Sequence, residues 1–463
     1  MANLIPKPAL LFTAHPLTGH LTPTLRIATT LSARGFLVYF LGPTAHRARI
    51  PAGITFLPLL RTADLDDLLY YSPDNPHPPT PDYWQLLWQR RGMLDFQKTW
   101  IDVIPDEWAS VAAALAEVRR REAGREVVVV AEAMFFGVMP LFLGAEVPGG
   151  SRPRTVALSV TVPFVRSVDV PPFFVEGLGF GGSEEERRRN GAVWEQWGAV
   201  TEGLMERWRG KLVEAGAAGA ERLEGPFLSG QNYVCHDRIL QMGVPGLFYP
   251  RSDWPQQFKF IGVLPPAEEP AGGWPNIPPW WAEVTKAAET RKKVVVVAQG
   301  TVEVDPSDLI IPTIQAMAPR ADNVLVVVIL GRKGATLPED VEVPLNARVT
   351  DYLHYDAVLP YASAWVHNGG YGALQHGIAH GVPMVVTGEG QDKIENAKRI
   401  EWCGAGVNLG RVAPGVEEVR QAVGLVLDDK KFTQKVRALQ KESQELECFN
   451  AVEREVLTLL TEY

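Results

Sequence analysis

Short apolar runs, several of them rich in β-branched residues, alternate along this chain with stretches whose apolar positions recur every three to four residues. ALLFTA (9–14), LVYFL (37–41), VVVVA (127–131), TVALSV (155–160) and NYVC (232–235) form one series of predicted strands. VVVVAQG (294–300), VLVVVIL (324–330), ARVT (347–350), AWVH (364–367) and VPMVVT (382–387) form a second. Apolar runs separated by helical patterns predict parallel strands joined by helices, an α/β construction. Between the series lies LPPAEEPAGGWPNIPPWW (264–281), too rich in proline and glycine for regular structure, which reads as an interdomain linker. After 431, Val436, Leu439, Leu446, Phe449, Val452, Val456 and Leu460 keep near-helical spacing and predict one or two closing helices.

At 463 residues the chain exceeds what one compact core accommodates, so the two series are assigned to two domains. The expected layout is an N-terminal domain over 1–263, a linker over 264–292, a second domain over 293–430, and closing helices over 431–463 that pack back on the first domain. Doubly wound domains of this type bind ligands at the carboxyl ends of their strands, here expected to line a shared cleft. The most apolar window, 127–147, carries Glu132 and Pro140 and reads as a buried strand followed by a core helix rather than a membrane span. The run PALLFTA shows no cleavage-site pattern, so no signal peptide is expected, and the polar C-terminal end offers no anchor. Trp84, Leu87, Trp88, Phe96 and Trp100 follow the proline-rich stretch 72–82 and predict a core-facing helical stripe; EEERRR (184–189) predicts a solvated loop or helix end.

Composition narrows the function. Apolar residues make up 46% and charged residues 21%, and the net charge of −9 argues against nucleic acid or an anionic membrane as the main partner. Cys235, Cys403 and Cys448 are far apart and odd in number, which fits a reducing, cytoplasmic setting and gives no zinc pattern. The strand AWVH breaks into HNGGYGALQHG (367–377). Adjacent glycines let the backbone turn sharply and a ligand approach the main chain closely. A phosphate-sized anion on the N-terminus of the following helix is the chemistry such a loop suits.

The longer segment YLHYDAVLPYASAWVHNGGYGALQHGIAHGVPMVVTGEGQDKIENAKR (352–399) resembles the donor-binding signature of the family-1 UDP-sugar glycosyltransferases, of the soluble small-molecule type. Counting back from Gly381-Val382-Pro383, the spacing matches without a gap from Tyr352 to Asn396. The resemblance implies a GT-B fold: two Rossmann-like parallel-sheet domains facing a central cleft, with C-terminal closing helices. It places Tyr352 where an aromatic ring stacks on uracil, Leu353 where the backbone meets the uracil edge, and Tyr355 where a glutamine is usual. The diphosphate-binding histidine falls on Asn368, an amide that donates a hydrogen bond but carries no charge. Gly372 and Ala373 replace side chains that commonly hold phosphate. The cradle of Asn368, Gly369, Gly370, Tyr371 and Gly372 is thus expected to work through backbone N–H groups and the helix dipole. His376 stands where a glutamate accepts ribose hydroxyls, and a neutral imidazole accepts one such bond. Asp392 matches the acid that grips the sugar, Lys393 replaces its glutamine partner, and Gly300 with Thr301 resembles the turn that closes over the phosphates.

Transfer to an alcohol or phenol needs a base, and histidine titrates in the right range. TAHPLTGHLTPTLRIATTL offers His15 and His20. In the family the base follows a glycine at the start of the first helix, which matches His20; His15 then reads as a packed or hydrogen-bonded loop residue. An imidazole that gains charge needs a carboxylate on its other nitrogen. The family's acid at the end of a later strand corresponds to Glu132. The resemblance implies single inversion: His20 deprotonates the acceptor, whose oxygen displaces UDP from a UDP-sugar, glucose above all, without metal or further cofactor. PFVRSVDVPPFFVEGLGF (163–180), Trp194 and Trp197 suit an apolar aromatic or polyketide acceptor. Alternatives are a nucleotide-sugar-binding accessory protein without catalysis and a nucleotide-sugar epimerase of the same fold.

Overall fold

A computed structural model describes residues 6–72, 75–173, 180–290, 292–300, 305–388 and 390–461. The chain forms two compact units. The first comprises Met1–Met242, Arg251–Ile261 and Glu447–Tyr463; the second comprises Gly243–Pro250 and Gly262–Leu446.

In chain order the first unit contains β1 (Ala9–Thr13), α1 (Thr18–Ala33), β2 (Leu37–Gly42), β3 (Ile54–Pro58), α2 (Asp67–Tyr70), α3 (Trp88–Asp95), α4 (Ile104–Arg121), β4 (Val127–Glu132), β5 (Arg154–Ser159), α5 (Glu184–Glu214), α6 (Gln231–Val234), β6 (Arg238–Gln241) and β7 (Phe258–Phe260). Its seven strands are parallel in the order β3-β2-β1-β4-β5-β6-β7. β1 therefore lies between β2 and β4, and the chain reverses its direction of travel across the sheet at that point. Val128, Val129 and Val130 are fully buried because helices cover both faces of such a sheet, each side chain contributing roughly 1.5–3 kcal/mol of transfer free energy.

The second unit continues with α7 (Trp281–Glu289), β8 (Lys293–Ala298), α8 (Ile310–Met317), β9 (Val324–Ile329), β10 (Ala347–Thr350), α9 (Tyr355–Val358), β11 (Ala364–His367), α10 (Tyr371–His380), β12 (Met384–Val386), α11 (Lys393–Cys403), β13 (Gly406–Asn408), α12 (Val416–Asp428) and α13 (Lys430–Leu446). The order β10-β9-β8-β11-β12-β13 is again all parallel, with the reversal between β8 and β11.

Several expectations are corrected here. NYVC is not a strand: Gly230, at φ 115°, turns the chain into the short α6, and Asn232 is tied by its amide to the Ala133 carbonyl (2.8 Å); the strand follows as RILQ. The window 127–147 is β4 followed by a buried 3₁₀ turn, Phe136–Leu141, rather than a longer core helix. No described helix is long and apolar enough to cross a membrane. EEERRR, by contrast, is the expected exposed helix end: it opens the 31-residue α5, where Ser183 and Glu186 cap one another's backbone. Phe96 and Trp100 are core residues, whereas Leu87 is 71% exposed. The stretch 264–292 is not a free connection, since Trp274 stacks on His354, Ala267 N–H donates to Asp356, and α7 belongs to the second unit.

The two closing helices part company. Glu447 adopts φ 51° and ends α13, which stays with the second unit through Gln440 to the Ala379 carbonyl (2.7 Å) and Val263 N–H to Ser443 (2.9 Å). α14 (Cys448–Thr458) joins the first unit, where Glu453 pairs with Lys7 and Arg34, and Glu455 with Arg238 and Lys259.

Candidate active site

At the first reversal point β1 and β4 are neighbours, pairing Thr13 with Ala131. α1 starts five residues after β1, and His20 is its third residue. Glu132 is the last residue of β4 and fully buried. Strand adjacency thus carries both side chains to one end of the sheet, with Nδ1 of His20 3.0 Å from Oε2 of Glu132. The other carboxylate oxygen accepts the Met134 N–H at 2.9 Å and fixes the group's orientation. His20 keeps 19% of its side chain exposed, with Nε2 the nitrogen turned away from the acid. A buried anion on Nδ1 stabilises the imidazolium that forms when Nε2 takes a proton.

Groups that sequence reasoning missed surround this arrangement. No side chain of the flanking loop caps α1; instead Asp67, from α2, accepts the Thr18 N–H at 2.7 Å and His46 Nε2 at 3.0 Å. Burial pushes the Asp67 carboxyl up, but the bonds from His46 and Thr18 outweigh it and hold it below the usual carboxylate range. Thr24 anchors the same turn by donating to the His20 carbonyl at 2.9 Å. His15 is buried and stacked on Trp100, ring centroids 4.2 Å apart, and burial followed by the charge of His20 keeps its pKa well below the ordinary value. Its Nδ1 faces Glu107 at 4.0 Å; burial pushes that carboxyl well above its ordinary range. His15 is fully buried, whereas His20 keeps part of its side chain exposed. No local motif announced Asp67 or Glu107, because both act across long sequence separations.

The second reversal point builds a different site. β8 and β11 pair Ala298 with His367, so the turns after them, Gln299-Gly300 and Asn368-Gly369-Gly370, lie side by side. Asn368 donates its amide to the Gln299 carbonyl, linking the turns, so one of its two amide hydrogens is spent within the protein. His367, the neighbour one residue early, is buried, accepts the Gly369 N–H at 3.1 Å, and is pushed down to about 3 by burial, which leaves it neutral. Of the two glycines only Gly369 has positive φ, +89°, and a Cβ there would stand 2.6 Å from the Thr387 carbonyl. Gly370 is the N-cap of α10, which no side chain caps. A helix start left to its own N–H groups is an anion site. Trp365 steadies the first turn through Nε1 to the Ala373 carbonyl (2.9 Å); Tyr371 is buried, with its hydroxyl beside Gly243, while Gly372 faces open space.

The remaining predicted donor residues divide. Asn396 donates to the Gly369 carbonyl (2.8 Å) and to Asp392 (3.1 Å), bringing Asp392 to the cradle, and Lys393 is buried against Gly369 with Nζ 3.1 Å from Gln391. Asp392 is the N-cap of α11 without a side-chain cap bond. Gly300 has φ +88° and abuts Asn368; Thr301 lies outside the described residues. Tyr352 is 38% exposed, Leu353 is buried, and Tyr355 packs edge-on against Trp365 and His376. His376 Nδ1 is 3.0 Å from Asp356, which also meets His380 at 2.8 Å. Burial raises the Asp356 carboxyl, and these bonds reverse that and hold it below its ordinary range. On the acceptor side, Trp194 and Trp197 are spent on packing, their indole N–H groups bonded to the carbonyls of Val170 and Phe227. Phe164 and Phe173 are in ring contact at 4.2 Å, and residues 174–179 lie outside the described residues.

Residues 315–458 match the family profile described as erythromycin biosynthesis protein CIII-like, C-terminal domain. UDP-glucosyltransferase 1 of Beauveria bassiana (strain ARSEF 2860) is 36% identical over 456 residues, covering 96% of this chain and 94% of the relative. UDP-glucosyltransferase A1 of Starmerella bombicola is 33% identical over 447 residues, covering 96% and 90%. Among solved structures, the glycotransferase of kitacinnamycin superposes with a TM-score of 0.68 at 18% identity, covering 97% of this chain and 99% of that one. Two parallel sheets, each with a ligand-type turn at its reversal point, have the GT-B fold of that solved glycosyltransferase. More narrowly, the chain belongs to the family-1 UDP-glycosyltransferases and is a UDP-dependent glycosyltransferase.

Proposed function

We propose that this enzyme transfers glucose from UDP-glucose, with inversion, to a hydroxyl of a hydrophobic small molecule such as a phenol or polyketide. The contact that carries this reading is His20 Nδ1 to the buried Glu132 at 3.0 Å, a base with its charge partner already in place. His20 Nε2 takes the acceptor proton as the oxygen attacks the anomeric carbon from the face opposite UDP. Glu132 bears the resulting imidazolium. The departing diphosphate is held by the Asn368–Gly372 turn and the start of α10, so the transfer step draws its charge stabilisation from N–H groups rather than from a metal. Tyr352 stacks on the base, His376 meets the ribose, and Asp392 with Lys393 meets the sugar. Glucose as the transferred sugar is supported by the names of the full-length relatives.

Incubation with UDP-glucose and a panel of phenols and other lipophilic alcohols is expected to yield UDP and β-glucoside in equal amounts, read by coupled UDP assay and by NMR of the anomeric proton. An α-linked product overturns inversion. UDP binding without turnover on any acceptor points to an accessory binding protein, and change of sugar configuration without acceptor points to an epimerase.

A further inference from the structure

We propose that Asp356, His376 and His380 form a binding site for a divalent transition-metal ion, zinc fitting best, that clamps α9 to α10. Spacing of i, i+4 puts the two histidines on one face of α10, and α9 supplies the acid. Nδ1 of His376 and Nε2 of His380 lie 3.0 and 2.8 Å from the same oxygen, Asp356 Oδ1, and all three ligand atoms fall within 4.8 Å of one another. Ligands at about 2.0–2.1 Å from a tetrahedral zinc stand roughly 3.3 Å apart, so the His376 and His380 contacts to Asp356 need open by only about 0.3 and 0.5 Å to admit the ion.

The surroundings favour a cation. Asp356 is buried, and its second oxygen is fixed by the Ala267 N–H at 2.9 Å, which leaves Oδ1 as the ligand and sets the carboxylate's direction. His380 is the last residue of α10, where the carbonyl end of the helix dipole attracts positive charge. His380 is nearly buried while His376 is 28% exposed, which provides an entry path and a fourth position for water. Two imidazoles and one carboxylate are a donor set that zinc accepts. On binding, the proton of each coordinating nitrogen moves to the other nitrogen of its ring, so neither imidazole need be charged in either state.

Chelator-treated protein titrated with zinc chloride alone is expected to take up a single ion per chain in calorimetry, and cobalt(II) in its place to give the visible absorption of a four-coordinate site. His380→Gln keeps an N–H for Asp356 but removes the coordinating imidazole; it should lower zinc affinity by about 100-fold or more while leaving the metal-free melting temperature near wild type. Asp356→Asn serves as a second variant with the same expected loss. Absence of uptake by the wild type, or equal uptake by wild type and both variants, overturns the site.

Discussion

Glu132→Gln perturbs the candidate catalytic pair with little change in shape. Glutamine keeps the acceptor for the Met134 N–H and turns its amide N–H₂ toward His20 Nδ1. That nitrogen must then accept, which drives the ring proton onto Nε2, the nitrogen that has to be the base. The charge partner is lost as well. At 3.0 Å and an effective dielectric of about 20, unit charges attract by about 5–6 kcal/mol. His20 is one-fifth exposed, so water and the amide dipole recover part of this, and a net loss of about 3–4 kcal/mol corresponds to roughly 10²–10³ in kcat. The assay is single-turnover formation of glycoside from UDP-glucose and a good phenolic acceptor, with UDP affinity measured by calorimetry on the same samples. The expectation is a kcat effect with unchanged UDP affinity. A variant within about threefold of wild type would refute the reasoning, because no charge partner at this distance is so dispensable.

The cradle glycines should respond with opposite signs. Gly369→Ala forces a side chain into φ +89° and against the Thr387 carbonyl, and should cost about 1–3 kcal/mol in denaturant unfolding, whereas Gly372→Ala meets open space in a helix and should gain up to about 0.5–1 kcal/mol; equal effects would remove the conformational argument. Asp95 gives a pH signature. Burial lifts its carboxyl to about 6 against hydrogen bonds from Tyr83 and Tyr70, so the folded state holds a proton that the unfolded chain releases. Its contribution is complete below the unfolded pKa of about 4 and is lost as pH rises through about 6, on the order of 2–3 kcal/mol. Asp95→Asn should therefore flatten the fall in melting temperature between those limits, and parallel curves for the two proteins would show that Asp95 is not the titrating group.

The β-branched runs, the proline-rich break near 264, and the glycine turn after AWVH were legible because each is a local statement: burial on both faces of a strand, absence of helix or sheet, freedom at positive φ. Residues whose partners are adjacent in sequence could be placed in the same way, as with Gly369 and the uncapped start of α10. Short apolar runs were the weak point. NYVC has the composition of a strand, but left-handed Gly230 and the amide of Asn232 commit it to a helical turn.

What remained hidden depends on strand order. Chain polarity and twist allow several orders for the same strands, and only packing of the covering helices chose one that seats β1 beside β4 and β8 beside β11. That choice brought His20 to Glu132 and joined Gln299 to Asn368, and it recruited Asp67 and Glu107, whose partners lie far away in sequence. It also turned Trp194 and Trp197 from candidate acceptor walls into packed residues by giving their indole N–H groups backbone carbonyls. Sequence determined which segments must be buried and where the backbone must bend, since those are short-range costs; tertiary structure decided which polar groups meet, since a buried charge takes whichever partner the finished packing places within reach.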